Sequence, residues 1–136
     1  MEKILIDAGP LIALFDKSDT YHLKSIDFIK RIDSNLWTTW AVITEVCHML
    51  DFSAQAQINF LTWIDRGALN IFQIEPYHLD RIIALTSTFD DVPMDLADAS
   101  LILASEELAC NEIASVDGEC YIYRNIRKQY LNNIFL

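Results

Sequence analysis

The chain has 136 residues, 52% of them apolar and only 22% charged, which excludes a disordered acidic tail. That length suits one domain spanning residues 1–136, able to bury roughly two-thirds of its unfolded surface without disulfides or a structural metal. Asp and Glu outnumber Lys and Arg 20 to 10, a net charge of -10, which argues against a protein that holds nucleic acid through a basic stripe.

Lys3 to Ile6 is a short apolar run ending at Asp7, as in a buried parallel strand. Gly9-Pro10 breaks the extended chain, and Pro10 suits the first turn of a helix through Phe15. After Asp19-Thr20, Leu23, Ile26, Ile29 and Ile32 recur at helical spacing, with Lys24, Lys30 and Arg31 on other faces. Leu36 to Thr39 reads as a second strand, followed by a helix from Trp40 that carries Val42, Ile43, Val46, Met49 and Leu50. Ser53 caps a further helix, and Gly67 ends it. Leu69 to Ile74 is β-rich, and Glu75-Pro76 opens a helix through Phe89. The helix DLADASLILASEELAC and a strand around Ile113 to Val116 follow, and the tail has apolar stretches at Cys120–Tyr123 and Ile134–Leu136. Strands alternating with helices predict an α/β fold with a mainly parallel central sheet.

The cysteines, Cys47, Cys110 and Cys120, form no Cys-x-x-Cys pair, so they read as small buried side chains in a reducing compartment. The N-terminus carries Glu2 and Asp7 and lacks the apolar core of a signal peptide. No apolar run reaches the roughly 20 residues of a membrane span. These features predict a soluble cytoplasmic protein.

Ligands of open parallel sheets gather at the carboxyl ends of the strands, so the acids matter by position. Asp7 ends the first strand and Asp117 the strand Ile113–Val116, while Asp95 and Asp98 begin the helix leading into the latter. Glu45 lies in the first turns of the helix after the second strand and interrupts an apolar stretch, so a buried carboxylate in need of a partner is expected there. Carboxylates brought within a few ångströms repel unless a cation joins them, and hard divalent ions prefer such oxygens. A metal held by Asp7, Asp98 and Asp117 could polarise a phosphoryl oxygen and acidify a water, with Glu45 binding a second metal or taking the proton. Each acid also has a structural explanation. Asp95 and Asp98 form a capping pair, Asp7 suits an N-cap, and Asp117-Gly118 is a common turn. Asp95 can cap and orient a ligand at once.

The remaining motifs are weaker. His22, His48 and His78 show no ligand spacing and read as surface or core-edge residues, and three glycines cannot build a dinucleotide or phosphate loop. Trp37, Trp40 and Trp63 suit core or interface anchors. Arg124, Arg127 and Lys128 follow Asp117 closely enough to meet an RNA phosphate, and Lys24, Lys30 and Arg31 are further candidates for RNA contact.

The segments ILIDAGPLIALFDKSDTYH, TEV at Thr44–Val46, MDLADASLILA at Met94–Ala104 and ASVDGECYIYR at Ala114–Arg124 together resemble a PIN domain of the VapC-like toxin branch. The resemblance implies a Rossmann-like three-layer sandwich and Mg²⁺- or Mn²⁺-dependent cleavage of RNA. It also implies homodimerisation and inhibition by a small antitoxin that covers the groove. It assigns the family's acids to Asp7, Glu45, Asp98 and Asp117, and places Ser115 as the hydroxyl that supports the last of them. The segment GECYIYR departs from the usual basic residue followed by Asp-Phe. Two other classes compete. A receiver- or phosphatase-like phosphoacceptor also gathers acids around Mg²⁺ but needs a late lysine, and none lies between Lys30 and Lys128. A silent PIN-fold interaction module would tolerate loss of an acid, yet the set is complete.

Overall fold

A computed structural model of the protein describes residues 2–33, 35–89, 94–117 and 131–136. Strand β1 (Lys3–Ile6) leads into helix α1 (Ala8–Phe15), then α2 (His22–Arg31), β2 (Asn35–Thr39), α3 (Trp40–Met49) and α4 (Ala54–Asp65). Strand β3 (Asn70–Phe72), α5 (Leu79–Thr88), α6 (Leu96–Glu107), β4 (Glu112–Ala114) and β5 (Asn132–Asn133) follow.

The five strands form one sheet in the order β3-β2-β1-β4-β5, and every pairing is parallel. This is the expected α/β sandwich around a parallel sheet. The chain builds outward from β1 through β2 to β3, then crosses back to lay β4 on the other side of β1. Strand order therefore reverses between β1 and β4, and the crevice above their carboxyl ends is where such sheets bind ligands. Leu5 pairs with Ile113 and Ile6 with Ala114, and the Asp7 N–H donates to the Ala114 carbonyl at 2.9 Å. The register thus carries the residues after each strand to the same edge.

The core fills both sides of β1: Leu5, Ile6, Leu11, Val42, Val46, Phe60, Leu101 and Ile113 are all fully buried. Helix α6 is buried along almost its whole circumference, from Ala97 through Ser105, as a helix crossing the middle of the fold must be. Local punctuation sets most boundaries. Asp7, Thr39, Ser53 and Asp95 each cap the helix that follows with a side-chain oxygen, and Gly67 takes φ +95 after α4.

Several expectations shift. The third strand covers Asn70–Phe72 rather than Leu69–Ile74. The helix opened by Glu75-Pro76 begins as a 3-10 turn at Pro76–His78 before α5. Strand β4 stops at Ala114, so Asp117 sits on the loop beyond it instead of ending the strand. Helix α2 sets its inward face differently in part: Ser25 and Phe28 are buried, Ile29 and Ile32 pack against the core, and Leu23 is 77% exposed. Phe135, from the C-terminal tail, packs edge-on against Phe28 at 5.4 Å. His78 is also buried rather than at a core edge; its Nδ1 accepts the Glu75 N–H at 2.9 Å and its Nε2 lies 3.4 Å from Glu107.

Trp37 and Trp63 pack partly buried against the core, whereas Trp40 is 52% exposed. Cys110 is buried and Cys47 half-buried, both as free thiols, and Cys120 lies outside the described residues together with the stretch to Tyr123. Among the described residues no helix is long and apolar enough to cross a membrane.

Candidate functional site

Asp7 follows β1 directly and caps α1, its Oδ1 accepting the Ala8 N–H at 2.7 Å. The cap leaves Oδ2, which accepts a hydrogen bond from the Ser115 hydroxyl at 3.3 Å. That hydroxyl in turn accepts the Asp117 N–H at 2.9 Å. One buried serine thus ties the Asp7 carboxylate after β1 to the Asp117 backbone after β4.

Asp95 and Asp98 open α6 as a reciprocal cap: Asp95 Oδ1 accepts the Asp98 N–H at 2.8 Å and Asp98 Oδ2 accepts the Asp95 N–H at 3.3 Å. The structural reading of this pair holds, and it does not exclude the chemical one, since each carboxylate keeps a second oxygen. Helix α3 is pinned to α6 by a buried hydroxyl pair, Thr39 Oγ1 and Ser100 Oγ at 2.7 Å. Ser100 Oγ donates to the Ala97 carbonyl at 2.7 Å, so Thr39 is the donor between the two hydroxyls.

Glu45 departs from expectation. It is exposed, because α3 buries Val42, Ile43 and Val46 and turns Thr44 and Glu45 outward. What burial its carboxyl keeps still acts on it, and other acids lie near.

The carboxylates converge electrostatically. Burial pushes Asp7 above the usual carboxylate range, and the charges of Asp95 and Asp117 push it further, against the Ala8 and Ser115 hydrogen bonds. Asp98 is pushed up to about 7 by burial, then by Asp95 and Asp7. Partial burial raises Glu45, with Asp7 and Asp95 adding to it. Acids from the loops after β1 and β4, from α3 and from the start of α6 therefore share one region of negative field. Among the described residues the ion pairs are Arg31–Asp27 and Arg81–Glu106, His78 lies against Glu107, and none of these reaches Asp7, Glu45, Asp95 or Asp98.

Among the described residues no three His, Cys, Asp or Glu side chains already stand close enough to hold one metal ion. Mutual repulsion favours such spacing when no cation is present. The donors are carboxylate oxygens throughout, the set a hard divalent ion prefers, and its positive charge would stabilise their ionised forms. On donor chemistry and shared field, the residues fit such an ion.

The basic candidates are less central. Arg31 pairs with Asp27 at 3.4 Å and lies over the Phe28 ring, and Lys24 lies over the Phe135 ring at 5.5 Å. Lys30 is exposed on α2. Arg124, Arg127 and Lys128 lie outside the described residues. Beside the acids, a groove of about 420 Å³ runs along Gly9, Ile12, Asp16, Tyr21, Met49 and Val116.

Sequence reasoning missed Thr39, Ser100 and Asn133 as supports. Thr39 carried a usable signal, a hydroxyl between a strand and a helix. Asn133 carried none, since its partner Ser115 lies 18 residues away.

Comparison with known proteins agrees with this fold. The family model described as the PIN domain matches residues 4–126, a span that includes Asp7, Glu45, Asp98 and Asp117. No curated protein matches the chain. Among solved structures, VapC20 of Mycobacterium tuberculosis, described as a sarcin-ricin loop cleaving toxin, superposes with a TM-score of 0.77 over 85% of this chain and 91% of that one. At 13% identity that likeness is one of fold.

Proposed function

Because the chain belongs to the PIN domain family, we propose that it is an Mg²⁺- or Mn²⁺-dependent endoribonuclease, the toxin of a toxin–antitoxin pair. The observation that carries this reading is the shared field of Asp7, Glu45, Asp98 and Asp117 above the reversal between β1 and β4. Asp7, Asp98 and Asp117 would hold the metal. When bound, it supplies Lewis acidity toward a phosphoryl oxygen and a more acidic water. Glu45, exposed beside Asp7 and Asp95, would take a proton from water or help hold a second ion. Ser115 keeps Asp7 and Asp117 in register, and Asp95 orients Asp98 from the cap. Hydrolysis of the P–O3′ bond at such a site would leave a 5′-phosphate and a 3′-hydroxyl.

The acid excess fits this order of events. Bound divalent ions reverse the local field where phosphate must sit, so RNA affinity is weak without metal. Lys24, Lys30, Arg31, Arg124, Arg127 and Lys128 are the residues available to meet the backbone. The groove along Gly9, Tyr21 and Val116 leads to the acids and gives a strand, or an antitoxin segment, a path. VapC20 is described as cleaving the sarcin-ricin loop, so a structured ribosomal hairpin is the first substrate to try. Homodimerisation in the cytoplasm belongs to the same reading. Exposed Trp40, Leu79, Ile83 and Leu96 offer an apolar face for a second copy.

The test is Mn²⁺-dependent cleavage of an RNA panel, hairpins included, by wild type and Asp7→Asn. Wild type should cut and leave 5′-phosphates, while Asp7→Asn should not. Equal activity in both overturns the assignment.

A further inference from the structure

The C-terminal tail returns to the sheet as β5, with Ile113 opposite Asn133 and the Ile134 N–H donating to the Ile113 carbonyl at 2.9 Å. The Asn133 side chain then continues the ladder where the strand backbone leaves off. Its Oδ1 accepts the Ser115 N–H at 3.3 Å, and its Nδ2 donates to the Ser115 carbonyl at 3.0 Å. The same Oδ1 accepts the Phe135 N–H at 3.0 Å, which holds the amide in place from its own side. Two N–H groups face the oxygen and one carbonyl faces the nitrogen, so only one orientation of the amide satisfies the network.

Ser115 is completely buried, and its hydroxyl joins Asp7 to the Asp117 N–H. Its peptide is therefore gripped on the side away from the acids while its hydroxyl orders them. From the opposite direction α1 is nested against Val116: a methyl group on Gly9 would overlap the Val116 side chain. The Ser115–Asp117 segment is held between the tail and α1.

We propose that Asn133 is a positioning residue that sets the relative placement of Asp7 and Asp117 through Ser115. What that placement is for rests on the nuclease reading; the relay itself rests on the hydrogen bonds. The position calls for a primary amide. Leucine has a similar shape but neither donor nor acceptor, and aspartate keeps the two accepting contacts while setting an oxygen against the Ser115 carbonyl. The C-terminal tail, 18 residues beyond Ser115, becomes part of the site's scaffold. Outer supports of metal ligands are worth about 10–100-fold in affinity, and a residue one step further out belongs at the lower end of that range.

The experiment measures Mn²⁺ affinity by the EPR signal of free ion, together with amide hydrogen exchange in the metal-free protein, for four proteins. These are wild type, Asn133→Leu, Ser115→Ala and the double variant. Asn133→Leu should speed exchange of the Asp117 amide and weaken Mn²⁺ binding about tenfold. In the Ser115→Ala background the same change should add less than twofold, because both act through one hydroxyl. A purely structural asparagine gives losses that multiply, and that outcome overturns the proposal, as does a folded Asn133→Leu with wild-type exchange at Asp117. Should Asn133→Leu fail to fold, Asn133→Asp serves instead: affinity between wild type and Ser115→Ala supports the relay, and wild-type affinity overturns it. If wild type binds no Mn²⁺ while Asp117 exchange still depends on Asn133, the nuclease reading falls and the relay stands.

Discussion

Helix α6 carries acids at both ends under opposite conditions. At its C-terminal end, where the helix dipole disfavours negative charge, Glu106 receives two hydrogen bonds from Arg81, at 2.9 and 2.6 Å, and Glu107 lies 3.4 Å from the buried His78. At its N-terminal end Asp95 and Asp98 face Asp7 and each other, and among the described residues no basic side chain is paired with them. The dipole and the capping hydrogen bonds favour these carboxylates, yet Asp98 is still pushed up to about 7. The difference teaches how to separate two kinds of acid. Glu106, which helps hold the fold together, comes with its cation, Arg81; the acids at the sheet's switch point share one negative field and, in the proposed function, would take an ion from solution.

That contrast predicts opposite results for removing a carboxylate at either end. Asp7→Asn should lower RNA cleavage on the order of 10³-fold, as loss of a group acting directly on the reacting centre does, while retaining an oxygen to cap α1. The same variant should melt higher than wild type without metal, because a half-buried carboxylate with a raised pKa is gone. Glu106→Ala should do the reverse. It leaves the acids untouched but strands Arg81, costing about 1–3 kcal/mol in denaturant unfolding; Arg81 is 34% exposed, so the cost stays below that of a fully buried pair.

A pH series sharpens the comparison. Asp98 titrates near 3.8 in the unfolded chain and at about 7 in the fold, so between those values the folded state binds more protons. Metal-free stability should therefore fall as pH rises from about 4 through 7, and Asp98→Asn should flatten that slope in melting curves taken at pH 5 and pH 8. A rise in stability over that interval, traced to Asp98, would contradict the picture.

Two smaller effects concern backbone geometry. Gly9→Ala must displace Val116 and with it the Asp117 loop, costing about 1–3 kcal/mol and weakening cleavage at the same time. Ala109 closes α6 with φ 51, as its neighbour's N–H reaches back from Cys110 to the Ser105 carbonyl at 2.9 Å. Ala109→Gly relieves that left-handed residue and should add about 0.5–1 kcal/mol, with no change in cleavage.

Much of this was legible locally. Asp7, Ser53, Gly67 and Asp95 are caps and breakers whose effect is decided within one turn, so β1, α1, α4 and the start of α6 fall where their residues say. Asp7, Asp95 and Asp98 could be named for the same reason, since each stands at a strand end, a cap or a first turn. Glu45 was named on the wrong ground, because an apolar stretch of sequence hides the one outward strip that every helix on a sheet retains. The burial of Phe28 on α2 could not be read locally, because its partner Phe135 stands over a hundred residues away. Asn133 was invisible for a related reason. An asparagine in a polar-looking Asn132-Asn133 pair gives no hint that its amide completes the ladder at Ser115.

The most direct test is a Mn²⁺ titration of wild type, Asp7→Asn and Glu106→Ala at pH 8, followed by thermal melting. Mn²⁺ should raise the melting temperature of wild type and of Glu106→Ala by the same increment and leave Asp7→Asn unmoved. An equal increment in all three, or none in wild type, would contradict the claim that the acids above β1 and β4 are waiting for a metal.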